Sequence, residues 1–206
     1  MDKHITNICR SAYTEIRKIS SIRHLSFDAT KTLVCSLILS KFDYCNALLT
    51  DIPQHLTDKL QKVQNTAARL IFRAKKHDHI QPLMQQHHWL PISSRIIHKT
   101  SNICFNSFTD PHFPELLHPY TPSRQLRSST DSRILSIPRT KTKTTGDRSF
   151  SFSAPTLWNQ LPHPIRHCKT SSTFKKSLKT HLFKSAYTIP EAHACLVICF
   201  YLPAFQ

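Results

Sequence analysis

Apolar residues recur at intervals of three and four along most of the first hundred positions, the spacing of a buried helix face. "HITNICRSAYTEIRKISSIR" sets Ile5, Ile8, Cys9, Ala12, Ile16 and Ile19 in one such row. "SFDATKTLVCSLILSKFDYCNALL" predicts a second helix from about Asp28, with Leu33, Val34, Leu37, Ile38 and Leu48 as core side chains. Pro53 stands where a helix tolerates a missing N–H, so a third helix is expected over Pro53–Arg73. At about 100° per residue, Leu56, Leu60, Val63, Ala67, Leu70 and Ile71 share a stripe about 100° wide, enough to face a core. Lys59, Lys62, Arg69 and Arg73 fall in a second stripe, about 80° wide. That basic face is either solvated or turned toward phosphate. "IQPLMQQHHWLPISSRIIHKTSNICFNSF" predicts a short helix over Pro82–His87, a break at Leu90-Pro91, and a longer helix from Ser93 to Phe108. Five helices joined by short connections define a helical bundle over residues 1–109.

The pattern changes at residue 110. "DPHFPELLHPYTPSRQLRSSTDSR" is rich in Pro, Ser and Arg and sustains no period. "RILSIP" and "RSFSFSAP" then read as two short strands around the polar "RTKTKTTGD". Phe150 and Phe152 would share one side of the second strand, and Gly146 stands where a hairpin turn needs it. "APTLWNQLP" predicts a helical turn carrying Leu157 and Trp158. "SSTFKKSLKTHLF" predicts a helix capped by Ser171 or Ser172, with Phe174, Leu178 and Leu182 as its buried face. The expected fold is therefore mainly α: a bundle over 1–109, a basic irregular segment with hairpin and terminal helix over 110–184, and an apolar tail over 185–206. The tail's "CLVICFYLPAF" is too short to span a bilayer as a helix. A docked segment is expected there, with a frameshifted or read-through end as the alternative.

Charge sharpens this picture. The 206 residues carry 28 Lys and Arg against 12 Asp and Glu, a net charge of +16 and a pI near 9.9. The excess is concentrated in residues 120–184, where 13 Lys/Arg meet only Asp131 and Asp147. Nucleic acid, an anionic membrane or an acidic protein are the natural partners of such a chain. Arg124, Arg127, Arg133, Arg139, Lys141, Lys143 and Arg148 line the Ser/Thr-rich stretch and are candidate phosphate contacts, because so few acids dilute them. The aromatics that follow, Phe150, Phe152 and Trp158, either stack on bases or fill a core, and the core is the expected place.

Candidate chemistry is sparse. A single glycine, Gly146, excludes a P-loop or a dinucleotide fingerprint. None of the 14 histidines is followed at the second position by an acid, as an iron facial triad requires. Acidic residues do not cluster, so two divalent metals have no cradle. His193, Cys195 and Cys199 offer three zinc ligands without an evident fourth. Seven cysteines, an odd number set in apolar helical patterns, point to buried free thiols in a reducing intracellular compartment. The N-terminus lacks the apolar core of a signal peptide. No catalytic activity and no cofactor are expected.

Six stretches in order, "FDYCNALLTDIP", "LQKVQNTAARLIF", "HWLPISSRIIHK", "PYTPSRQLRSS", "GDRSFSFSAPTLWNQLPHPIR" and "FKKSLKTHLF", give the chain a resemblance. Over residues 2–184 it resembles the region downstream of the reverse-transcriptase domain in LINE-type, Jockey-like non-LTR retrotransposon polyproteins. The resemblance implies a truncated module that follows the polymerase palm and lacks both the palm's paired aspartates and the endonuclease. The family's catalytic residues thus have no positions here to occupy. It implies a role holding template RNA or target DNA near a polymerase, with low sequence specificity. The alternatives are an interaction module that docks on a reverse-transcriptase domain supplied in trans, and a fossil reading frame without selected function.

Overall fold

The computed structural model describes residues 1–22, 24–108, 116–121, 133–142 and 145–187. Among these residues the chain is helical, as the periodicity predicts. α1 (Asp2–Ser21) and α2 (Phe27–Val34) are followed by a π-helical stretch over Cys35–Leu39 and the short α3 (Ser40–Asp43). A 3₁₀ turn over Asn46–Leu49 leads to α4 (Gln54–Phe72), α5 (Gln81–Gln86) and α6 (Ile92–Ser107). After the irregular region come α7 (Phe150–Asn159), α8 (His163–Arg166) and α9 (Ser171–Tyr187).

Two apolar clusters hold these elements together. The first takes Ile5, Ala12, Ile16 and Ile19 from α1, Val34 from α2, Ile38 from the π-helical stretch, and Leu56, Leu60, Val63, Ala67 and Ile71 from α4. α4 lies along α1 and also touches α2, α5 and α6. The second cluster is built by Cys104 and Phe105 of α6, Ala154 and Trp158 of α7, and Phe174, Leu178 and Leu182 of α9. α6 serves both, with Ile92 and Ile96 in the first and its C-terminal half in the second. Polar side chains tie the Leu90-Pro91 break to α4. Gln64, fully buried, donates to the Leu90 carbonyl at 2.9 Å, and Gln61 accepts from the Ile92 N–H at 3.0 Å. Arg95 of α6 grips both carboxylate oxygens of Asp43 in α3. At the far end, the Tyr187 hydroxyl donates to the Trp89 carbonyl at 2.6 Å and joins α9 to the first cluster.

Several expectations need correction. The β-hairpin does not form: residues 150–159 are helix, and among the described residues the only strand-like pairing is a bridge between Pro119 and Leu135. The alternation of Phe150 and Phe152 loses to the i, i+4 pair Ala154 and Trp158, both fully buried. The extended "RILSIP" segment is satisfied otherwise. Its Leu135 exchanges two hydrogen bonds with the side-chain amide of Asn159, which stands in for a second strand. Gly146 is no hairpin turn and has no positive φ. It permits a close approach, since a Cβ there would lie 2.5 Å from the Thr142 carbonyl oxygen. α9 is capped by Thr170, whose hydroxyl accepts from the Thr173 N–H at 3.3 Å, and not by Ser171 or Ser172. Leu37 and Leu48, expected in the core, are exposed, because the π turn and the 3₁₀ turn rotate them off the helix face. Cys45 is exposed too, unlike the buried Cys104.

With glycine so scarce, the chain places Cys45, Asp51, Arg73 and His88 in the left-handed region, at φ between 50° and 56°. A Cβ in that conformation costs about 1 kcal/mol or more. Cys45→Gly is therefore expected to raise stability by about 1 kcal/mol and the melting temperature by about 2–4 °C. A thermal melt that moves downward would contradict this.

Candidate nucleic-acid interface

The basic stripe of α4 is not isolated on the surface. α4 buries its apolar stripe against α1, so Lys59, Lys62, Arg69 and Arg73 come to stand along the seam between the two helices. Two shallow clefts follow each other on that seam. The first, about 190 Å³, is lined by Thr6, Cys9 and Tyr13 of α1 with Lys59 and Lys62 of α4. The second, about 390 Å³, is lined by Ile16 of α1 and by Thr66, Arg69, Leu70, Arg73 and Ala74. Lys59 and Lys62 are exposed. Burial pushes the Cys9 thiol up from its ordinary value, and the nearby Lys59 ammonium opposes that shift.

The two arginines are more committed. Arg69 is half-buried; one terminal nitrogen reaches the Asp78 carbonyl at 3.4 Å, while its Nε is buried without a hydrogen-bond partner. Arg73 caps α4 in the left-handed conformation and donates to the Leu25 carbonyl at 3.0 Å. Both guanidiniums keep further N–H donors beyond these bonds.

α1 adds cations that the hydrophobic periodicity did not single out. Arg10 and Arg17 are exposed and follow Thr6 and Tyr13 by four residues, so they stand beside them on the same flank. α1 has two acidic side chains: Glu15 approaches Lys18 at 3.4 Å and Lys41 of α3 at 3.7 Å, and Asp2, at the N-terminal end, lies 3.6 Å from His55 of α4. Midway along the helix, Glu15 is thus turned toward α3 while Arg10 and Arg17 stand on the flank that carries Thr6 and Tyr13. The signal for Arg10 and Arg17 was in the sequence, as their i, i+4 spacing from seam residues. It became legible only once α1 and α4 were known to be partners.

The basic stretch of the second half divides differently. Arg124, Arg127 and Lys143 lie outside the described residues. Arg133 is half-buried and donates from one nitrogen to the carbonyls of Arg166, at 2.7 Å, and Cys168, at 3.0 Å. Its guanidinium carbon also lies 6.0 Å from the centre of the Phe105 ring. These contacts fix the end of α8 onto the second cluster. Arg139 and Lys141 are exposed, and Arg148 is half-buried. The structure does not bring Arg133 to the α1–α4 seam: its contacts lie with α8 and the second cluster.

Among the described residues, no three His, Cys, Asp or Glu side chains gather as a metal site. His193, Cys195 and Cys199 fall outside them. No helix among the described residues is long and apolar enough to cross a membrane. Comparison with family models, with curated proteins and with solved structures finds no match to this chain.

Proposed function

We propose that this chain is a non-catalytic nucleic-acid-binding module, a remnant of a retrotransposon reverse-transcriptase polyprotein that contacts phosphates along the α1–α4 seam. The observation that carries the reading is the row of exposed cations that Lys59 and Lys62 of α4 and Arg10 and Arg17 of α1 form beside the cleft between the two helices. Glu15 is turned away toward Lys41, and Asp2 stands at the N-terminal end of α1 near His55. Cations so placed replace counterions on a phosphate backbone, which makes the binding salt-dependent. From Lys59 to Arg73 the helix runs about 21 Å, the length of about six phosphates along a stacked strand. Arg139 and Lys141 supply further exposed charge. A second reading, a module that docks on a polymerase domain, is favoured by the apolar side chains of Leu37, Tyr44 and Leu48, all exposed on one short stretch.

The double variant Lys59→Glu, Lys62→Glu separates the two readings. Both side chains are exposed, so helix content and melting temperature are expected to stay as they are. Affinity for RNA or DNA at about 150 mM salt is expected to fall by about tenfold or more. Unchanged affinity, measured by fluorescence anisotropy, would remove the seam from the account and favour the docking module.

A further inference from the structure

We infer that the α1–α4 seam takes a single strand rather than a duplex, with a base lodged against Tyr13 in the first cleft. The inference rests on the nucleic-acid reading above and names its substrate class. The seam has cations on its lips and uncharged surface on its floor. Lys59, Lys62 and Arg69 stand along the α4 side, whereas Cys9, Ile16 and Leu70 supply partly or fully buried apolar surface between the helices. A duplex presents phosphates outward and hides the faces of its bases, so it gains nothing from such a floor. A single strand presents both, phosphates to the lips and base faces to the floor.

Tyr13 supplies the stacking surface. It is 37 % exposed and lines the first cleft together with Lys59 and Lys62. No aromatic–aromatic contact involves its ring among the described residues, in contrast to Phe72, Phe105, Phe174 and Trp158, which all pack against other rings. At about 190 Å³ the cleft has room for one planar base beside the Cys9 thiol. The second cleft continues the track past Ile16 to Arg69 and Arg73.

The test compares a single strand of about 12 nucleotides, as RNA and as DNA, with the matching DNA duplex. Binding is followed at about 150 mM salt for the unmodified chain and for Tyr13→Ala, Tyr13→Phe and Lys59→Glu, Lys62→Glu. The single strand is expected to bind more tightly than the duplex. Tyr13→Ala should weaken it about tenfold, the scale of one lost base–aromatic stack, while Tyr13→Phe stays near the original. The salt slope should not change in Tyr13→Ala, since no charge is removed. Tighter duplex binding would overturn the inference. So would a Tyr13→Ala variant that binds normally while the lysine reversals still weaken binding, an outcome that leaves the phosphate seam standing. Insensitivity to the lysine reversals would instead take down the seam itself.

Discussion

Trp158→Ala is expected to remove about 3–5 kcal/mol of stability, read as a lowered urea midpoint. Trp158 is fully buried at the centre of the second cluster, its ring 5.6 Å from that of Phe174 and 5.2 Å from that of Phe108. Its truncation opens a cavity that surrounding helices fill only in part. It also strips the Arg133 carbonyl of the indole N–H that reaches it at 2.6 Å. A half-buried carbonyl left without its donor adds to the loss. Natural domains are stable by only about 5–15 kcal/mol, so this single change takes a large share. Trp89 in the first cluster is then the one remaining tryptophan and reports that core by itself. A loss below about 1 kcal/mol would contradict the placement of Trp158.

Acid should act through α6. Burial lowers the pKa of His98 to about 4, and the neighbouring charges of Lys179 and Arg95 push in the same direction. A hydrogen bond to the backbone of Lys175 and the charge of Asp43 oppose the shift. His87 and His88 are lowered as well, chiefly by burial. A histidine held neutral in the fold contributes stability in full above its ordinary value of about 6.5. That contribution fades as the pH falls toward 4, because the unfolded chain takes up the proton first. For His98 alone the loss between about pH 7.5 and 4.5 is about 2–3 kcal/mol. His98→Gln is expected to flatten this pH dependence, as read from urea midpoints at the two pH values. An equally steep dependence in the variant would show that His98 is not the group responsible.

The helices of the first cluster were legible because burial there follows the sequence period. Ile5, Ala12, Ile16 and Ile19, and Leu56, Leu60, Val63, Ala67 and Ile71, are buried where a 3.6-residue repeat puts them. Gln64 was not legible. It breaks the apolar rule by being fully buried, and its reason is the Leu90 carbonyl, 26 residues away. The helix over Phe150–Asn159 was hidden for a related cause. Two alternating phenylalanines and an internal Pro155 speak for strand or turn, and only the burial of Ala154 and Trp158 by α6 and α9 decides otherwise. Local pattern yields when a long-range partner outweighs it.

The candidate site divides along the same line. Lys59 and Lys62 were recognisable from the helical wheel alone, and they stay exposed. Arg133 looked like its basic neighbours, yet its guanidinium is engaged by the Arg166 and Cys168 carbonyls. Charge in a sequence marks where a cation is, but carbonyls brought close by folding decide whether it is available. Arg10, Arg17 and Tyr13 join the seam for the converse reason, since α1 supplies its second wall.

The most direct measurement is the salt dependence of nucleic-acid binding for two variants of equal net charge. Lys59→Gln, Lys62→Gln removes two cations from the seam, and Lys175→Gln, Lys176→Gln removes two exposed cations from α9. If phosphates lie along the seam, the slope of log K against log salt falls by about two in the first variant and stays unchanged in the second. Equal changes in both would mean that the chain binds only as a polycation, and would contradict a phosphate site between α1 and α4.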